Sequence, residues 1–121
     1  IIKSQTGNKG VDVVIIATGN LKALLDAINF VRKGGTIIVF GVPSKGAKID
    51  LDMSDVYSKN ITIINTYAAS DIDTKEALEM ISTKKINVKQ LITHKYTLSD
   101  VQKAFEHAKT GKDAMKIIIN N

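Results

Sequence analysis

No cysteine occurs among the 121 residues. That excludes disulfides and thiolate metal ligands from this chain, although it does not by itself set the redox compartment. Tryptophan is also missing, and aromatic residues make up only 5%. A platform for stacking nucleic-acid bases is therefore poorly supplied. The net charge of +5 raises the nucleic-acid question, but the lysines are scattered and cluster only at Arg32-Lys33 and Lys84-Lys85. We read them as a solvated surface and expect no nucleic-acid partner. No apolar run approaches the ~20 residues of a membrane helix, so no membrane partner is expected either. No secretory signal is visible. The first residue is Ile1 rather than Met, which reads as a cut or processed piece, and a cytoplasmic location is expected.

What is present is organised around Gly10 to Val42. Val11, Val13, Val14, Ile15, Ile16 and Ala17 form an apolar run without alternation, the pattern of a parallel strand buried on both faces. The run stops at Thr18-Gly19. Leu21, Leu24, Leu25, Ile28 and Val31 then recur at helical spacing. Arg32 and Lys33 are expected in the last helical turn, where cations suit the dipole, and Gly34 or Gly35 supplies the left-handed cap. A second buried strand, Thr36 to Phe40, ends at Gly41. Two such strands joined by a helix make a right-handed crossover unit. Open sheets of this kind bind ligands outside the carboxyl ends of their strands, here Ala17-Thr18-Gly19 and Phe40-Gly41-Val42.

The flanking segments extend the pattern. Ile1 to Lys9 is a helix remnant or irregular lead-in. Pro43 to Lys48 is a loop, and Ile49 to Leu51 a brief extended piece. Asp52 is a candidate N-cap for one or two turns over Met53 to Lys59. Ile61 to Tyr67 is a third, β-branched strand. Asp73 and Glu76 resemble a capping box for a helix that turns Ala77, Leu78 and Ile81 inward. Val88 to Thr97 is extended. Ser99 and Gln102 form another capping box, for a helix with Val101, Ala104, Phe105 and Ala108 as its buried stripe and Gly111 just past its end. Met115 to Ile119 closes the chain as a strand. The element order is that of an α/β protein, and so small a sheet needs a partner or a missing half to cover its edges.

The segments GVDVVIIATGN, RKGGTIIVFGVP, ITIINTY, KKINVKQLITHKYTLSDVQKAFE and MKIII, in that order, resemble the medium-chain dehydrogenase/reductase family. This is the family of zinc-type alcohol, sorbitol and threonine dehydrogenases. The resemblance implies a C-terminal fragment: residues 1–68 as the second half of a Rossmann-type parallel sheet that binds a nicotinamide cofactor, and residues 69–121 as a tail that returns to the catalytic domain. It implies NAD or NADP as cofactor and an amino-terminal catalytic domain, with the first Rossmann half, outside this chain. The zinc ligands belong to that absent part, so no metal ligand and no catalytic residue is assigned here. By the same resemblance Thr18 and Gly19 border the ribose side of the cofactor. Phe40, Gly41 and Val42 line the nicotinamide pocket, and Thr66 and Ala68 meet the carboxamide through the backbone. Strand Ile61–Thr66 is expected to pair across a two-fold axis in a homodimer. Two departures stand out: Ile16 replaces a common Glu or Asp, and Asn65 replaces a common glycine.

His94 and His107 are assigned structural or surface roles, because no metal-ligand spacing surrounds either. Asp71 and Asp73 read as turn and cap residues, and Lys116 as a strand-edge lysine. The alternatives are a zinc-free quinone oxidoreductase-type reductase and a non-catalytic binding or assembly module. The chain alone lacks a G-x-G-x-x-G turn and a zinc site, so by itself it is expected to be inactive.

Overall fold

A computed structural model describes all residues from Ile1 to Asn121. The chain divides into two compact units, Ile1–Ala68 and Ala69–Asn121.

The first unit contains a short helical turn α1 (Ile2–Gln5), strand β1 (Val11–Ile16), helix α2 (Lys22–Phe30), strand β2 (Val31–Val39), helix α3 (Met53–Ser58) and strand β3 (Thr62–Asn65). The strands form one sheet in the order β1-β2-β3, with both pairings parallel. The fold is therefore α/β, as the pattern of runs and helices predicts. Its core gathers Ile16 and Ile37 from the sheet, Ala27 and Ile28 from α2, Val56 from α3, and Val31 and Ile61. Two crossovers that advance in one direction place both helices on one face of the sheet. The opposite face stays open: Val13 is 50% and Ile15 63% exposed. This corrects the expectation that β1 is buried on both faces. Its apolar run is continuous, but residues 1–68 supply a cover for only one side.

The end of α2 is also corrected. The helix stops at Phe30, and Val31 is already extended, with φ −71° and ψ 142°. Arg32, Lys33 and Gly34 lie in a bulge of β2. Between the pairs Val11↔Val31 and Val13↔Thr36, β2 advances further than β1. Gly34, at φ +69°, is the left-handed residue of this bulge and not a helix cap. The cation at the end of α2 comes from far along the chain, where Lys59 Nζ donates to the Ile28 carbonyl at 3.2 Å. Arg32 instead donates to Asp12 at 2.6 Å, and this holds the Asp12 carboxyl below its usual range. Asp52 caps α3 as expected, accepting from the Ser54 amide at 2.8 Å. Ile49 to Leu51 forms no strand.

The second unit contains helix α4 (Asp71–Ser82), a 3₁₀ turn (Val88–Leu91), strand β4 (Ile92–Thr97), a 3₁₀ turn (Leu98–Asp100), helix α5 (Val101–Thr110) and strand β5 (Lys116–Asn120). Strands β4 and β5 pair in parallel as a separate sheet. The N-cap of α4 is Ser70, in a reciprocal box with Asp73, and not the Asp73/Glu76 pair. No residue of α4 is buried, so the inward Ala77, Leu78 and Ile81 are not seen. In α5 only Ala104 is buried, and Phe105 is 68% exposed. Ser99 and Gln102 do not box this helix. The Ser99 hydroxyl pairs with Thr97 at 2.7 Å and Gln102 donates to Glu106 at 3.0 Å, both local alternatives to capping. Gly111 ends α5 in the left-handed conformation, φ +63°, as expected. Of the expected extended run Val88 to Thr97, only Ile92–Thr97 is strand.

Candidate functional site

All seven sequence-selected residues lie in the first unit. Because its three strands are adjacent and parallel, their carboxyl ends fall along one edge of the sheet. Thr18 and Gly19 follow β1, Phe40, Gly41 and Val42 follow β2, and Thr66 and Ala68 follow β3. The sequence places each segment at a strand end, and the topology brings them side by side.

Hydrogen bonds hold the three ends in register. The amides of Phe40 and Gly41 both donate to the Ile16 carbonyl, at 3.0 and 2.8 Å. The Thr66 amide donates to the Val39 carbonyl at 3.1 Å. These three amides are thus committed inside the protein, whereas the amides of Val42 and Ala68 have no partner within the chain. Ala68 holds φ +58°, unusual for a residue with a Cβ. Phe40 and Val42 present apolar side chains to the surface, 63% and 71% exposed. This edge therefore presents exposed apolar side chains beside backbone amides that have no partner within the chain.

Glycine is required here for space. A Cβ at Gly41 would come within 3.0 Å of the Thr18 backbone, and one at Gly19 would collide with the Val42 carbonyl. The space beside Gly41 is therefore taken by the protein's own β1 loop. The sequence reading passed over Asn20. Its amide donates to Thr18 Oγ1 at 3.2 Å, and its side-chain carbonyl accepts the Lys22 amide at 3.0 Å, a turn that precedes Leu21, the N-cap of α2. The signal was legible, since Thr-Gly-Asn before an amphipathic run is turn-and-cap chemistry.

In the second unit the two histidines, far apart in sequence, meet. Their rings are edge to face with centroids 4.3 Å apart. His107 Nε2 donates to the Lys112 carbonyl at 2.8 Å, and its Nδ1 lies 2.8 Å from the Tyr96 hydroxyl. With Nε2 as the donor, Nδ1 of the neutral ring accepts the tyrosine proton. The bond from His94 goes to Thr93 at 3.0 Å. These are structural duties. Lys116 is the exposed first residue of β5, consistent with a strand-edge lysine.

Parallel strands with connecting helices on one face define part of an open α/β sheet of the Rossmann type, a class that binds ligands outside the carboxyl ends of its strands. Within that class the chain belongs to the zinc-binding dehydrogenase family, whose model matches residues 1–83. It is 29% identical over 119 residues to a sorbitol dehydrogenase of Halalkalibacterium halodurans, a match covering 98% of this chain and 34% of that protein. It is 30% identical to a D-xylulose reductase of Saccharomyces cerevisiae, over 88% of this chain and 29% of that one. An alcohol dehydrogenase from Thermotoga maritima superposes with a TM-score of 0.85 at 26% identity, over 98% of this chain and 32% of that structure. The chain thus spans about a third of the length of these relatives.

The zinc in the family's description finds no ligand set among these residues. No three His, Cys, Asp or Glu side chains come together, and both ring nitrogens of His107 are already engaged. The residues present do not fit a zinc site, and no chemistry of this chain is routed through one.

Proposed function

We propose that this chain is the nicotinamide-side portion of an NAD(P)-dependent alcohol dehydrogenase-like oxidoreductase. The observation that carries this reading is the alignment of Thr18-Gly19, Phe40-Gly41-Val42 and Thr66–Ala68 along one carboxyl edge, in a chain of the zinc-binding dehydrogenase family. Residues 1–68 act as the partial cofactor domain and residues 69–121 as the segment associated with the catalytic domain. The cofactor, when bound, supplies hydride transfer to or from an alcohol carbon. The chain's own residues bind and orient it. Phe40 and Val42 offer the apolar floor, the free amides of Val42 and Ala68 offer donors to a carboxamide, and Thr18-Gly19 forms the ribose-side margin. Zinc, with its ligands, belongs to residues outside this chain, where it would polarise the alcohol oxygen.

The names of the relatives, sorbitol dehydrogenase and D-xylulose reductase, support polyols as the first substrate class to try. A cytoplasmic location accompanies this reading. The test uses the full-length protein with zinc, a polyol and alcohol panel, and both NAD and NADP, following absorbance of the reduced nicotinamide. Turnover proportional to protein concentration is expected. Failure to bind either dinucleotide, by calorimetry, would overturn the proposal.

A dimer built on β3 is part of the same proposal. β3 pairs only with β2 and so lies at an edge of its sheet. The Thr66 amide points to β2, and successive residues of a strand alternate in direction. Ile63 and Asn65 therefore turn their backbone groups outward, free to pair with a second copy.

A further inference from the structure

We infer that Gly19 and Gly41 form an interlock that sets the spacing of the two strand-end loops, and that through this spacing they position the cofactor floor by way of Thr18 and Val42. This rests on the dinucleotide reading above and adds to it two positioning residues with a defined mode of action. The contacts are reciprocal. A Cβ at Gly41 would strike the backbone N, C and O of Thr18, and a Cβ at Gly19 would strike the O of Val42, crowd its C at 3.2 Å and approach Pro43 Cα at 3.6 Å. Each glycine thus faces the neighbour of the other.

Neither glycine is there for its backbone freedom, since neither holds a positive φ, unlike Gly10, Gly34 and Gly111. Neither position demands the left-handed backbone that favours glycine, and what alanine changes is the distance between the loops. The obstacle on each side is backbone, which cannot rotate away as a side-chain tip can. The same spacing is drawn tight from below, where the Phe40 and Gly41 amides share the Ile16 carbonyl. A methyl group at either glycine must lengthen those bonds and move Phe40 and Val42 away from Thr18. Once one methyl has parted the loops, the second meets less resistance, so the two substitutions are coupled.

The coupling provides the test. In the full-length protein, NADH binding is measured by calorimetry for wild type, Gly19→Ala, Gly41→Ala and the double variant. Each single variant is expected to weaken NADH binding by about tenfold, and the double by little more, well short of the ~100-fold product expected of independent sites. Amide exchange at Phe40 and Gly41 should also accelerate in Gly19→Ala without cofactor, although that change lies on the other loop. A purely structural role would lower the melting temperature and leave NADH affinity unmoved in folded variants, and that result would overturn the inference. So would losses that multiply, because each glycine would then act separately on the cofactor. If the variants fail to fold, the wild-type amides decide: slow exchange at Phe40 and Gly41 supports the interlock, and exchange at open-loop rates overturns it. Wild type that binds neither NADH nor NADPH would instead overturn the dinucleotide reading on which this inference stands.

Discussion

Ile37 is fully buried, at the centre of the middle strand, and the packing of the first unit converges on it. Removing its branched side chain leaves a cavity between β2 and the helices, because close-packed neighbours relax only partly. Ile37→Ala is expected to destabilise the protein by about 3 kcal/mol, seen as a lower midpoint in urea denaturation. Gly41 carries the opposite lesson. Gly41→Val would meet the Thr18 backbone before any ligand, so lost cofactor binding in that variant would report displaced loops rather than a blocked pocket. The identity of Gly41 was legible in the sequence as a strand-end glycine. What it approaches was not, because Thr18 is distant in sequence and adjacent only through the β1-β2 pairing.

Helix α4 depends on local chemistry, since it buries no residue. The Ser70 hydroxyl accepts from the Asp73 amide at 3.2 Å, and the Asp73 carboxylate accepts from the Ser70 amide at 2.8 Å and hydroxyl at 2.6 Å. Ser70→Ala should cost about 1 kcal/mol of helix stability, measurable by amide exchange over Asp71–Ser82. The hydrogen bonds from Ser70 hold the Asp73 carboxyl below its usual range. A carboxyl depressed in the folded state adds stability above the ordinary carboxylate range and loses it as pH falls through its folded value. α4 should therefore fray on acidification below about pH 4, and Asp73→Asn should flatten that acid step in circular dichroism. An unchanged acid step in Asp73→Asn would remove this carboxylate from the account. The true box was within reach of the sequence: Ser70 and Asp73 have the right spacing, but Asp73 and Glu76 offered the same spacing three residues later. Only the backbone decides between two such frames.

For the whole molecule, the open features are the edge of β3 and the bare face of its sheet, where Val13 and Ile15 stand exposed. Asn65→Pro removes an outward amide without touching the core, whereas Ile63→Pro would also disturb a side chain packed against it. Sedimentation of the full-length protein should show Asn65→Pro shifted towards monomer with its fold intact. A dimer of unchanged strength would place the interface elsewhere. The 121 residues alone are expected to turn over no alcohol. They bring together no metal-ligand cluster and carry no glycine-rich turn to hold a pyrophosphate. An absorbance assay with added zinc checks this, and turnover proportional to the chain's concentration would contradict it.

Local chemistry sufficed for several properties that reside in neighbouring residues, although not for the choice between competing capping frames. The β-branched runs of β1 and β3, the cap at Asp52, the left-handed Gly111 and the strand ends at Thr18-Gly19 and Phe40–Val42 could all be read along the chain, because periodicity, caps and turns are short-range effects. Tertiary structure decided what depends on partners far away in sequence. Lys59 replaced Arg32 and Lys33 at the end of α2 because a β-bulge carried those two residues into the sheet. The two histidines met because α5 packs beside β4. One face of β1 stayed bare although its sequence suits burial on both sides. An apolar run records how much surface a strand can bury; which surfaces it does bury depends on where the crossovers place the helices.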